Sequence, residues 1–202
     1  MKRSLGVLAV VFGFAVCLPL TEASGSHAAG VAVRPVTDLA LRAAEVGPGY
    51  RARVIPGGRK VKGQVTLDLC GFRYPSDALR TSRIQMVYQH PRDALVLSNE
   101  VVRYRGTGAQ QALSELEWAV SHCPKGNKLT RIRDPRLLPS SVAVANQFSG
   151  MRNGKPVAVG VLLVYQVHGN ALSAVYTYRG TPATRKRFGM RAAALSASKL
   201  RR

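Results

Sequence analysis

Cysteine and acid are the two things this 202-residue chain has little of. It holds 3 Cys, and one of them, Cys17, falls inside an apolar run near the start. Ten Asp and Glu stand against thirty Lys and Arg, and between Pro135 and Arg202 there is no acid at all. Local ion pairs therefore cannot cancel the charge of the C-terminal third, which must present a positive field to solvent. Within it Arg179, Arg185, Lys186, Arg187 and Arg191 are the candidate anion-binding residues. Arg outnumbers Lys twenty-two to eight, a bias that base composition alone can also produce. The scarcity of Cys and His leaves no metal set, and no cofactor motif is present. Catalytic signatures are missing too: there is no G-x-S-x-G elbow and no H-E-x-x-H. Ser196-x-x-Lys199 matches the S-x-x-K of penicillin-binding proteins in form, but no later S-x-N or K-T-G element completes it, so it reads as chance. His90, His122 and His168 fall beside turns or helix ends and read as surface or capping residues. Asp68 and Glu100 are the acids to inspect for burial; a carboxylate buried among so many arginines is expected to be ion-paired rather than catalytic.

Lys2 and Arg3 precede an uncharged run from Leu5 to Leu20, followed by small residues at spaced positions. That is the pattern of a secretory signal peptide, residues 1–28, with cleavage after Ala23 or after Ala28. A retained anchor would need roughly 18 to 20 apolar residues, and this run is shorter and contains Pro19. Cys17 could instead carry a lipid, although Phe14-Ala15-Val16 is a poor match to the small residue expected before such a cysteine. Residues 29–202 then form a single extracytoplasmic domain large enough for one core. Only Cys70 and Cys123 remain in it. Two cysteines in an exported chain read as one disulfide, since the oxidising side of a membrane lets it persist. Buried free thiols are the alternative.

Period and punctuation supply the elements. A helix is expected from Val36 to Val46 with Thr37 as cap, then an extended stretch from Tyr50 and a turn at Gly57-Gly58. Val65, Leu67 and Leu69 alternate with polar residues as in a half-buried strand ending at Cys70. Pro75–Arg80 reads as a helical turn, and 84–88 with 95–105 as a hairpin. Thr107 and Gln110 form a capping-box pattern opening an amphipathic helix through Ala109, Ala112, Leu113, Leu116, Ala119, Val120 and Cys123. Strands follow at 128–134, 142–148, 157–167 and 172–178. The apolar run from Val157 to Val167 suits a strand covered on both faces. Thr181-Pro182 starts a terminal helix whose apolar residues make no single stripe, so it is expected to pack loosely or to lie along an anionic surface. The fold class is α+β: one domain, an antiparallel sheet with helices packed mainly on one face, and one disulfide.

The segment Leu67-Asp68-Leu69-Cys70-Gly71-Phe72-Arg73-Tyr74-Pro75-Ser76, then Asn99-Glu100-Val101-Val102-Arg103-Tyr104 before an Ala/Leu-rich helix ending Cys123-Pro124, resembles secreted actinobacterial proteins described as sensor-domain-containing. These are loosely similar to the extracytoplasmic sensor domain of the PknH-type receptor kinase. The resemblance covers residues 36 to 200 in the order of elements and 67 to 124 in motif. It implies an antiparallel sheet with helices, a cleft for an unidentified ligand and no enzymatic role. One cysteine pair stands here where the kinase sensor is expected to have two, and no kinase domain accompanies it.

Three functions follow. The first is an exported, non-enzymatic ligand-binding or sensor-like domain, for which an apolar cleft is expected between the sheet and the Thr107 helix. The second is an envelope-associated protein that binds anionic polymers or lipid headgroups through its basic third. Nucleic acid is the usual partner of such a field, but an exported protein rarely meets it. The third is a secreted hydrolase using Ser or His.

Overall fold

The computed structural model describes residues 33–64, 67–152 and 155–202. The leader with Cys17 and both cleavage sites, Val65, Thr66 and the Asn153-Gly154 turn lie outside the described residues. From Arg34 to Arg202 the chain is one compact unit.

Seven strands form one sheet: β1 (Arg51–Val54), β2 (Arg80–Gln89), β3 (Val96–Tyr104), β4 (Lys128–Arg131), β5 (Ser141–Arg152), β6 (Lys155–His168) and β7 (Ala171–Tyr178). Their order is β1-β2-β3-β7-β6-β5-β4, and every neighbouring pair is antiparallel. Two meanders therefore meet where β3 pairs with β7. The side-chain period of 2 gives each central strand two buried faces. In β6, Val161, Leu163, Tyr165 and Val167 join one core cluster while Leu162 and Val164 join another. That explains the unbroken apolar run in the sequence: both faces are covered.

Helix α3 (Gly108–His122) covers the first face. Ala109, Ala112, Leu116 and Ala119 are fully buried against Val102, Leu163, Tyr165 and Leu172. The other face carries α1 (Val36–Leu39), α2 (Ala43–Val46) and α4 (Pro182–Arg201), so three of the four α-helices share one side, as expected.

Four local readings are corrected. The expected helix over 36–46 breaks at Ala40, because the Leu41 backbone is drawn to the sheet: its N–H donates to Asn99 Oδ1 at 2.9 Å and its carbonyl accepts from the Tyr88 hydroxyl at 2.6 Å. The expected strand ending at Cys70 is irregular over Leu67–Cys70, although Leu67 and Leu69 are fully buried and Asp68 is exposed. The Thr107 side chain makes no cap, and Gln110 Nε2 instead donates to the Gly169 carbonyl at 2.7 Å. The last helix does not pack loosely. Gly189, Ala192, Ala193, Ser196 and Ala197 carry its contact, and a Cβ at Gly189 would overlap Leu162 and crowd Thr177. Small residues let the helix axis approach the sheet closely. Hydrogen bonds then lock it: Gln166 Nε2 donates to the Ala193 carbonyl at 2.9 Å, Ser173 and Ser196 hydroxyls meet at 2.6 Å, and Lys199 pairs with Glu45 at 2.9 Å. Ser196 and Lys199 are both spent in this packing, which removes their formal resemblance to a catalytic pair.

Candidate functional site

Residues 55 to 74 run across the α3 face without a strand or helix assigned among those described. Three anchors hold this segment. Cys70 and Cys123 form the disulfide, with Cα atoms 5.4 Å apart and a sequence separation of 53. The Tyr74 hydroxyl donates to the Leu69 carbonyl at 2.8 Å. Arg83 Nη1 donates to the Gly57 carbonyl at 3.1 Å. Arg83 is itself paired with Glu100, and both side chains are 1% exposed. Glu100 also accepts from the Tyr176 hydroxyl at 3.4 Å, so this buried acid is ion-paired as its sequence context indicated.

The interface between α3 and the sheet is packed core, not the expected apolar cleft. One cleft on the outer side of α3, about 360 Å³, is lined by Phe72, Tyr74, Glu115 and Trp118. Both of its useful groups are engaged: Glu115 accepts from Ser76, and His122 stacks on Trp118 with ring centroids 4.3 Å apart.

A different cleft, about 370 Å³, opens where β1 starts, the β2–β3 hairpin turns and β7 ends. Strand alternation puts Arg51 and Arg53 on one face, opposite Gln89 and Val87. Arg179 joins them from the turn after β7. All three are exposed, and none of their guanidiniums has a hydrogen-bond or ion-pair partner among the described residues. Arg179 has φ 60, the left-handed region that a non-glycine residue enters only when held there. Arg185 holds it: Nη1 donates to the carbonyls of Arg179 at 3.2 Å and Gly180 at 2.6 Å, while the guanidinium rests against Gly160. Asp93 is the acid at this cleft, half-exposed, with Oδ2 as its bonded oxygen. It accepts from the Tyr50 hydroxyl at 3.3 Å and lies 3.7 Å from His90 Nδ1. Burial first, and then the Asp93 charge, raise the Tyr50 phenol above its usual range, so it stays a donor.

A smaller cleft of about 260 Å³ is formed by Arg136, Arg187, Phe188 and Arg191. Arg187 lies over the Phe188 ring, 5.2 Å from its centroid, a cation–π placement that fixes the guanidinium. Its acid, Asp134, is clasped by Arg136 through Nε at 2.9 Å and Nη2 at 2.7 Å. Those hydrogen bonds hold the Asp134 carboxyl at about 2, well below the carboxylate range.

The basic set read from the sequence is thus divided. Arg179 lines the first cleft, Arg187 and Arg191 line the second, Lys186 is exposed beside them near Asp134, and Arg185 turns inward. Arg51, Arg53 and Arg136 also line these clefts and stand outside that set. The Arg-x-Arg spacing on an extended segment was a usable signal, since alternation places both on one face. Among the described residues no cluster of His, Cys, Asp and Glu could hold a metal ion, and no helix is long and apolar enough to cross a membrane.

The sequence matches no protein-family model, and no curated protein matches it. Solved structures similar to it include the following two. The extracellular domain of PknH from Mycobacterium tuberculosis aligns with a TM-score of 0.51 at 11% identity, over 81% of this chain and 95% of that one. LpqN, a protein involved in cell envelope biogenesis of Mycobacterium tuberculosis, aligns at 17% identity over 74% of this chain and 88% of that one, with a TM-score of 0.25. The loose similarity to the PknH-type domain holds at the level of the fold.

Proposed function

We propose that this chain is an extracytoplasmic, non-catalytic binding domain of the sensor-like kind, and that its ligand is an anion taken up in the cleft of Arg51, Arg53 and Arg179. The observation that carries the reading is that three guanidiniums without acid partners line one cleft in which Asp93 is the single acid, so cations outnumber acids there. A guanidinium left unpaired at a concave surface offers a planar fork suited to carboxylate or phosphate oxygens. The fold it shares with an extracellular domain and the Cys70–Cys123 bridge support placement outside the cytoplasm. The histidine contacts argue against hydrolysis: His90 touches Asp93 and the Arg92 N–H, and His122 touches the Trp118 carbonyl, so neither brings a serine to an acid.

Inorganic pyrophosphate is a simple probe. Titration calorimetry at low ionic strength should give binding that weakens steeply with salt, since exposed charges are screened. Each charge-assisted contact is worth roughly 1.5–3 kcal/mol, so Arg51→Gln or Arg53→Gln should weaken binding about tenfold or more. Arg179→Asn removes the third charge while keeping a residue that tolerates the left-handed backbone. Pyrophosphate binding that is unchanged in the triple variant would refute the assignment.

A further inference from the structure

The cleft of Arg51, Arg53 and Arg179 carries charge of both signs, and the sheet decides how the signs are spaced. Arg51 pairs with Gln89 across β1 and β2, Gln89 with Val96 across β2 and β3, and Val96 with Tyr178 across β3 and β7. One row of the sheet therefore runs from Arg51 to the neighbour of Arg179, a distance of about 14 Å at ordinary strand spacing. Asp93 sits on the hairpin turn between Gln89 and Val96, at the middle of that row. Cations thus flank an acid. Resting on the reading above, we propose that the ligand of this cleft is a compact zwitterion of net negative charge: an acidic α-amino acid whose two carboxylates meet Arg51 and Arg53 on one flank and Arg179 on the other, while its ammonium meets Asp93.

Asp93 has charge to spare. Its side chain is 46% exposed, its side-chain contacts run through Oδ2, and no Lys or Arg pairs with it among the described residues. His90 Nδ1 accepts the Arg92 N–H at 3.2 Å, the role of an unprotonated ring nitrogen, so His90 supplies no counter-charge. A plain anion drawn in by the guanidiniums therefore meets an uncompensated carboxylate. An ammonium on the same ligand turns that repulsion into a charge-assisted contact. Size points the same way. At about 370 Å³ the cleft lies near the lower end of the roughly 300–1,000 Å³ of pockets that enclose a compact ligand. Arginine side chains reach inward from both flanks, and the gap they leave suits a skeleton of a few carbons.

A hydroxylated anion is the rival ligand. A hydroxyl also donates to a carboxylate, but it brings no positive charge to an acid that lacks a cationic partner. Its neutral hydrogen bond competes with water at a half-exposed oxygen, so an ammonium gains more in the same place.

Three ligands with one carbon skeleton separate the possibilities. Glutarate, 2-hydroxyglutarate and glutamate share both carboxylates and differ at one substituent, which is hydrogen, hydroxyl or ammonium. Each is titrated into the protein by calorimetry at low ionic strength, beside pyrophosphate. Net charge alone ranks glutarate above glutamate. The expected order is the reverse, with glutamate tighter than either analogue by at least about threefold, a modest factor because the Asp93 pair is half-exposed. Asp93→Asn keeps an acceptor for the Tyr50 hydroxyl and should restore the net-charge order; the residue is exposed, and an unchanged thermal melt confirms the fold. The α-amide of glutamate keeps the ammonium but loses one carboxylate, and should bind at least about fivefold more weakly than glutamate. Glutarate or 2-hydroxyglutarate binding as tightly as glutamate overturns the ammonium assignment. A glutamate preference that survives Asp93→Asn overturns the role of Asp93, and equal binding of glutamate and its α-amide overturns the two-carboxylate arrangement. Pyrophosphate binding without glutamate binding ends the zwitterion proposal and leaves the plain-anion reading standing. If neither binds, both readings fall together.

Discussion

Removing the Cys70–Cys123 bridge is the perturbation whose size follows most directly from the structure. The two sulfurs close a loop with a sequence separation of 53. In the chain-entropy model a loop of that length constrains the unfolded chain by about 4 kcal/mol. For a domain of this size each kcal/mol moves the melting temperature by roughly 2–4 °C, so the loss should lower it by roughly 8–16 °C. The double substitution Cys70→Ser/Cys123→Ser is preferable to reduction, because it leaves no thiols to re-pair. Two signals should be followed together during thermal unfolding. Far-UV circular dichroism reports the sheet. Fluorescence reports Trp118, the 1 Trp of the chain, whose ring lies 4.9 Å from that of Phe72, close in sequence to Cys70. The bridge ties the 55–74 segment to the end of α3, so the tryptophan environment should change at temperatures where the sheet is still intact. Coincident melting of both signals at the parent temperature would refute the argument. It would mean that Leu67, Leu69 and the Tyr74 hydrogen bond hold the segment without the bridge.

Two further outcomes follow from the buried polar groups. Glu100→Gln or Arg83→Met alone leaves one member of the pair without its counter-charge in the core and should destabilise by about 3–5 kcal/mol. Arg83→Met/Glu100→Leu should recover most of that loss, and a double-mutant cycle in denaturant, closed with Arg83→Met and Glu100→Leu as its single variants, measures the coupling; additive losses would argue that the pair contributes nothing. Burial raises the phenols of Tyr50, Tyr74, Tyr88, Tyr104, Tyr165 and Tyr176, and pushes Tyr178 up to about 12. These are all 7 tyrosines. Each folded phenol holds its proton above the unfolded value of about 10, so their contribution to stability is fully present below that pH and is lost as pH rises beyond it. Absorbance at a phenolate band should therefore stay flat through that pH and rise only with alkaline unfolding; phenolate appearing while the circular dichroism is still native would contradict the burial.

What could be read in advance depended on how each element earns its place. Alternation along 84–88, 95–105 and 172–178 showed both strand and burial, because those residues pair with neighbours on both sides. Leu67 and Leu69 alternate just as well and are just as buried, yet no strand forms. Alternation reports which side chains are covered; whether a backbone also finds a partner is decided by the rest of the sheet, and here a left-handed turn at Cys70 leads to the bridge instead. The last helix fails in the opposite sense. Its contact is made by Gly189, Ala193, Ser196 and Ala197, residues that weigh little on any hydropathy scale, so a tightly packed face looked like none. The proposed binding surface was half visible for a related reason. An acid-free third announces charge, but it cannot announce that the start of β1 and the end of β7 lie at the same end of the sheet, with β2 and β3 between them. Only antiparallel pairing brings Arg51 and Arg53 to Arg179, across more than a hundred residues of chain. Charge composition therefore locates a field, and topology decides which cations share a ligand.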